Sequence, residues 1–127
     1  MTESEVLELI ALYGGNSITA FTVYISFTFA FLATAFYVGH KLTTFQTIAA
    51  SGLFIFSAGS SVLAETAYIQ AMFAIKEQTP NVLDGMLLFS GSFWVPYMFA
   101  LGSGGIVVSL YFMWDIRRQH LKNIPSK

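Results

Sequence analysis

The chain has 127 residues, of which 55% are hydrophobic and only 10% are charged, and its net charge is −1. A water-soluble domain of this size buries only about 60 to 70% of the surface that its unfolded chain exposes, so lipid must cover much of this apolar surface. The near-neutral charge excludes a basic nucleic-acid-binding face, and the absence of cysteine excludes disulfides, thiolate metal sites and cysteine nucleophiles.

Residues 2–13 predict a short amphipathic helix that lies at the membrane surface. Thr2 and Glu5 have the spacing of a capping box, and glutamates crowd the first turns, where carboxylates favour the positive end of the helix dipole. Gly14 and Gly15 are expected to end this helix. A frayed polar tail is the alternative. The acidic start differs from a cleaved secretory signal, which begins with basic residues.

Three transmembrane helices are predicted at about 17–39, 43–75 and 86–115. Each contains a charge-free run of about 20 residues, enough to cross a hydrocarbon core roughly 30 Å thick. Thr43 and Gln46 form a second capping box directly before the second helix, so the first two helices are expected to form a tight antiparallel hairpin. The second and third helices exceed the length of one span and therefore project from the bilayer or tilt.

Aromatic residues mark both ends of the third predicted helix. Trp94 and Trp114 lie about 30 Å apart on a helix, and Tyr97 and Tyr111 lie one turn inside them. Such aromatic belts are typical of the two membrane interfaces, so both tryptophans are expected to act as membrane anchors.

Basic residues give the chain a predicted orientation of N-out/C-in. Lys41, Arg117 and Arg118 are expected to anchor one end of the bundle at the headgroups, and the segment 116–127 reads as a basic cytoplasmic tail. By the positive-inside rule, this end faces the cytoplasm. The basic residues on this side are Lys41, Arg117, Arg118, Lys122 and Lys127, against Lys76 on the other.

The stretch YVGHKLTTFQ, followed by an apolar second helix, resembles the first turn of small uncharacterised three-helix inner-membrane proteins of gammaproteobacteria. The shared features are an acidic start, a Gly-x-Lys-Leu-Thr/Ser-x-x-Gln turn and a basic end. In this chain the turn residues are Gly39, Lys41, Leu42, Thr43 and Gln46. The resemblance implies a multi-pass protein of the bacterial inner (plasma) membrane and implies no catalytic activity.

Glu65 is the most informative single position, because it interrupts the apolar run SSVLAETAYIQ. An ionisable residue inside a membrane segment suggests function by default, and a proton or cation site here would be paired across helices or face a wet cavity. Counting along the second helix places Glu65 near the outer interface instead, where a charged carboxylate has a small free-energy cost. The interfacial interpretation is favoured.

Small residues recur at helical spacing and predict close helix packing. Pro96, with the run from Gly102 to Gly105, could instead mark a hinge or a broken helix that lines a pore, and the hydroxyls could line a conduit. Packing is favoured over both. The expected packing residues are Ser57, Ser61, Ala64, Ala100, Gly104, Gly105 and Ser109, with a matching set of Thr22, Ser26, Ala30 and Ala33 on the first helix.

No arrangement of residues suggests catalysis, so an enzyme is not expected. His40 stands in a loop and His120 in the basic tail, and both are expected to be solvated. No metal site and no cofactor is predicted.

The leading functional hypothesis is a non-catalytic subunit, either accessory to a larger membrane complex or a homo-oligomeric scaffold. Its partners would be membrane lipids and either copies of itself or other membrane-protein subunits, with no nucleic acid. The alternative is a homo-oligomeric ion or proton channel, or a small transporter, that uses Glu65 and the hydroxyl-bearing helix faces. A surface sensor built on the acidic outer helix is a third possibility.

Overall fold

The structure is a computed structural model that describes residues 2–78 and 93–123. This part of the chain is all-helical, as predicted, and its three long helices are each long and apolar enough to cross a membrane. The chain is therefore compatible with a multi-pass membrane protein. The helices are α1 (Glu3–Val38), α2 (Thr44–Glu77) and α3 (Trp94–Asn123), with a short 3₁₀ helix (Gly39–Lys41) between the first two.

α1 is one continuous helix of 36 residues, so the predicted break at Gly14 and Gly15 was wrong. Its start matches the prediction, because the Thr2 hydroxyl accepts from the Glu5 amide and the Glu5 carboxylate accepts from the Thr2 amide. Each glycine costs a helix about 1 kcal/mol relative to alanine. Around this point α1 packs against α2: the Tyr13 ring lies 6.2 Å from the Tyr68 ring, and Gly14 faces the Met72 side chain. Such packing offsets the cost of the glycines.

The turn between α1 and α2 is as tight as the capping pattern predicts. Thr43 accepts from the Gln46 amide at 3.2 Å, and the Gln46 side chain accepts from the Thr43 amide at 2.9 Å. The hairpin is antiparallel, since ring contacts join Phe31 to Phe54 near the turn and Tyr13 to Tyr68 far from it.

Arg117 ties α3 to this turn. Its Nη1 donates to the carbonyl oxygens of Gly39 at 2.9 Å and of Leu42 at 2.7 Å. Carbonyls at the end of a helix lack partners within the helix, so these bonds satisfy groups that the turn exposes. A residue predicted as a headgroup anchor thus makes a defined contact within the bundle.

α3 packs on the hairpin along a narrow line of contact. The Tyr24 hydroxyl donates to the Gly102 carbonyl at 2.9 Å, and Gly102 lies directly against the Val62 side chain. Close approach at this point requires the absence of a Cβ. The buried apolar core comprises Tyr24, Phe31, Ala35, Phe54, Ala58, Val62 and Met113.

The helix ends differ from the predicted bounds. α3 remains helical as far as Asn123, so the segment predicted as a tail from residue 116 is largely helix. The predicted helix residues 86–92 and tail residues 124–127 lie outside the described residues. α1 and α2 have 36 and 34 residues. At about 1.5 Å per residue each is roughly 50 Å long, well beyond a hydrocarbon core of about 30 Å.

Candidate functional site

Glu65 lies inside the bundle, and its side chain is only 2% exposed. α2 turns the face that carries Ser61, Glu65 and Ile69 toward the other helices, and all three are buried. The sequence placed this carboxylate at the membrane interface by counting residues along one helix. Such a count estimates depth, but it does not show whether a side chain points into the bundle. The Glu65 Oε1 atom is buried without a hydrogen-bond partner in the part of the chain that the structure describes.

The depth of Glu65 can be judged against Trp94. Val62 of α2 packs against Gly102 of α3, and the two helices run antiparallel because Arg117 of α3 contacts the turn before α2. Glu65 lies three residues after Val62 and Trp94 lies eight residues before Gly102. At about 1.5 Å per residue, Glu65 is therefore roughly 7 Å from the Trp94 level toward the middle of the bundle. If Trp94 marks a membrane interface, the carboxyl lies within the hydrocarbon region.

Other polar groups are buried in the same bundle. The buried Tyr24 hydroxyl is close enough to Glu65 to interact with it electrostatically, although its hydrogen bond goes to Gly102. The Thr66 hydroxyl and the Trp94 indole nitrogen are buried and, within residues 2–78 and 93–123, lack hydrogen-bond partners. Within residues 2–78 and 93–123, three buried side-chain polar atoms are thus without a hydrogen-bond partner, and buried polar groups without partners are uncommon in protein interiors.

An apolar cavity of about 280 Å³ opens next to this region. Ser17, which is buried, and Trp94 supply its polar groups. The cavity lies between the three helices on the side where α3 begins. Its lining residues are Gly14, Ser17, Ile18, Ile69, Met72, Phe73, Trp94 and Met98.

Most hydroxyls predicted to line a helix face bond to their own helix. Ser61 donates to the Ser57 carbonyl at 2.9 Å, and Ser109 donates to the Gly105 carbonyl at 2.7 Å. The Thr22 and Ser26 hydroxyls do the same and are exposed, so the set on α1 does not oppose the set on α2. Bonds of this kind satisfy the donors locally and favour packing over a conduit.

The predicted packing residues divide between two faces. Ser61 and Ser109 are buried, Ser57 and Ala64 are half-buried, and Gly105 lies against Tyr24. Ala100 and Gly104 point away from the bundle, and no side chain lies within 4 Å of a Cβ built on Gly104. We call the outward face the outer face of α3; it comprises Ala100, Gly104, Val107, Val108 and Tyr111, all exposed.

Pro96 does not form a hinge within the described helix. α3 is described from Trp94, so Pro96 falls in its first turn, where a proline interrupts no helical hydrogen bond. The helix also runs unbroken through the glycines from Gly102 to Gly105.

At the opposite end of the bundle, the structure brings together two histidines for which the sequence predicted no contact. The rings of His40 and His120 lie 4.7 Å apart between centroids, with planes inclined by 39°. Nearby, the Arg118 guanidinium lies 5.0 Å from the ring centroid of Trp114, and the role of both as membrane anchors stays a prediction. No signal in the sequence pairs residues eighty positions apart.

Neither a protein family, a curated protein nor a solved structure matches this chain. The resemblance to three-helix inner-membrane proteins at the Gly39 to Gln46 turn therefore stays a prediction. The function must be argued from the residues themselves.

Proposed function

We propose that this chain is a non-catalytic membrane subunit that acts through helix-to-helix assembly, with copies of itself or with other membrane-protein subunits. The observation that carries the proposal is the position of Gly104. Glycine lets two helix backbones approach closely in lipid, and membrane helix interfaces are enriched in such small residues. Gly102 and Gly105 have such contacts within the chain, with Val62 and Tyr24. Gly104 has none among the described residues.

The outer face of α3 is suited to a neighbouring helix. Ala100 and Gly104 form a small-xxx-small pair, which lets two helix backbones approach closely in lipid. Val107, Val108 and Tyr111 continue the face with larger apolar side chains. Since lipid tails are as apolar as these side chains, the drive to associate is close packing rather than the hydrophobic effect.

We further propose that the chain lies in a bacterial inner membrane, with its carboxyl terminus in the cytoplasm. The contact of Arg117 with the turn after α1 supports this orientation, because it puts the first loop and the end of α3 on one side. Lys41, Arg118 and Lys122 are at that same end and are exposed. The positive-inside rule assigns such a basic end to the cytoplasm.

The Gly104→Leu substitution tests the assembly. We expect the wild-type chain to form an oligomer, or a complex with a partner, in mild detergent, and the leucine side chain to disrupt it by holding the helices apart. Native mass spectrometry from membranes measures copy number and companions together. Ala49→Leu, at an exposed position on α2, is the matched control and should leave the assembly intact. A monomeric wild type, or an unchanged assembly in Gly104→Leu, would contradict the proposal.

A second candidate function is proton or cation transport, and the burial of Glu65 specifically favours it. Buried carboxyls inside membrane bundles recur in proton relays and transporters. Glu65 has a carboxyl oxygen without a hydrogen-bond partner among the described residues and an apolar cavity one turn away, which together provide a binding site for an ion or proton.

A flux assay separates the two functions. If transport is correct, liposomes with the wild-type chain will show proton or cation flux, and Glu65→Gln will abolish it because an amide cannot exchange a proton. Glu77→Gln, an exposed carboxylate on the same helix, should retain the flux. Absence of flux in the wild type would leave assembly as the function.

A further inference from the structure

The end of the bundle that carries the turn contains an unassigned pair of imidazoles. His40 lies in the 3₁₀ helix Gly39–Lys41, and His120 lies in the last turns of α3. Their ring centroids are 4.7 Å apart and their planes are inclined by 39°. Neither ring takes part in the candidate site around Glu65.

We propose that His40 and His120 form a two-imidazole site for a late first-row transition metal ion such as Zn²⁺ or Cu²⁺. Metal-to-nitrogen bonds of about 2.0 to 2.1 Å in a tetrahedral arrangement put two coordinating imidazole rings roughly 5 Å apart between centroids. The observed separation of 4.7 Å agrees with this value. The proposal requires one nitrogen of each ring to turn toward a common ion.

The backbone around the pair is already fixed, which favours a chelate. Arg117 holds the carbonyls on both sides of His40, those of Gly39 and Leu42, by two hydrogen bonds. Arg117 and His120 are three residues apart, so they share a face of α3. The bonds that position the turn therefore also position His40 against His120. A preorganised pair loses little conformational freedom when it binds an ion.

The surrounding charges define which ions the site accepts. Lys41, Arg117, Arg118 and Lys122 are all close in sequence to the two histidines and oppose the binding of any cation. Hard ions such as Mg²⁺ and Ca²⁺ need carboxylate or carbonyl oxygens and gain little from imidazole. Late transition metals bind neutral imidazole strongly enough to offset some repulsion, with Cu²⁺ ahead of Zn²⁺.

The site has two protein ligands rather than a closed set. Within the described residues, no group of three or more histidine, cysteine or acidic side chains could hold an ion together. Water or a small anion would fill the remaining positions, and an anion would also reduce the local positive charge. Such a site exchanges its ion readily, and the bound ion would link the first turn to the end of α3.

Zinc titration of the purified full chain, prepared in detergent with a tag that contains no histidine, tests the site. We expect one Zn²⁺ per chain, and at least a tenfold weaker affinity in His40→Ala and in His120→Ala, because each removes half of the chelate. The double variant, which has no imidazole, should show no saturable binding. Gln119→Ala, an exposed neighbour of His120, is the matched control and should bind like the wild type.

Electron paramagnetic resonance with Cu²⁺ gives an independent measurement. The wild-type spectrum should contain hyperfine splitting from two nitrogens, and each single variant should lose that pattern. Wild-type affinity in either histidine variant would overturn the proposal, as would no saturable Zn²⁺ binding. One Zn²⁺ for every two chains would also overturn it, since the ion would then bridge two copies.

Discussion

The Gly105→Leu substitution is expected to detach α3 from the α1–α2 hairpin. A Cβ built on Gly105 collides with the Tyr24 hydroxyl and lies 3.3 Å from the Tyr24 Cζ atom. Tyr24 is buried and donates its hydrogen bond to Gly102, so it cannot move aside without losing that bond. Overpacking and the lost hydrogen bond together should destabilise the bundle by about 2 to 4 kcal/mol.

Thermal unfolding followed by fluorescence-detected size exclusion measures this effect, and Gly52→Leu is its matched control. Gly52 is an exposed helical glycine on α2 and receives the same side chain, but no side chain lies within 4 Å of a Cβ built on it. We therefore expect a large fall in the melting temperature for Gly105→Leu and little change for Gly52→Leu. Equal losses of stability in the two variants would contradict the contact between Gly105 and Tyr24.

A double substitution isolates the contact itself. Gly105→Ala should be destabilising in the wild-type background and much less so in the Tyr24→Phe background, because the colliding atom is the hydroxyl oxygen. Residues in direct contact show such non-additive effects, whereas distant residues do not. Additive effects of Gly105→Ala and Tyr24→Phe would contradict the contact.

Local features of the fold are predictable from the sequence because their causes are local. The capping boxes at Thr2 and Thr43 depend on residues three positions apart, and both are present. The continuity of α1 was missed at Gly14 and Gly15. Two adjacent glycines commonly end a helix, and the contact between Gly14 and Met72 of α2 joins residues too far apart in the chain for the sequence to reveal it.

Features that depend on contacts between helices were not predictable in the same way. The sequence shows that Gly104 and Gly105 are small, but adjacent residues point about 100° apart on a helix, and only the docking of α3 decides which one faces inward. The burial of Glu65 has the same origin. The bonds from Arg117 to Gly39 and the pairing of His40 with His120 join residues about eighty positions apart, for which a single sequence carries no signal.

The Glu65→Met substitution is expected to make the bundle more stable. Glu65 is buried with Oε1 unpartnered within the described residues, and such a group costs about 1 to 3 kcal/mol. Methionine has a similar length and a flexible apolar chain, so it can fill the same space without that cost. We therefore expect a higher melting temperature, with the free energy of unfolding raised by about 1 to 3 kcal/mol.

Interpreting the stability of Glu65→Met requires a control variant and the flux assay. Glu77→Met, at an exposed carboxylate on the same helix, should change the unfolding free energy by less than about 0.5 kcal/mol. Stability and activity commonly oppose each other at functional sites, so a gain in stability is read together with the flux. A gain in stability with a loss of flux would assign Glu65 to transport. A fall in stability would mean that both carboxyl oxygens are satisfied in the membrane and that Glu65 supports the fold.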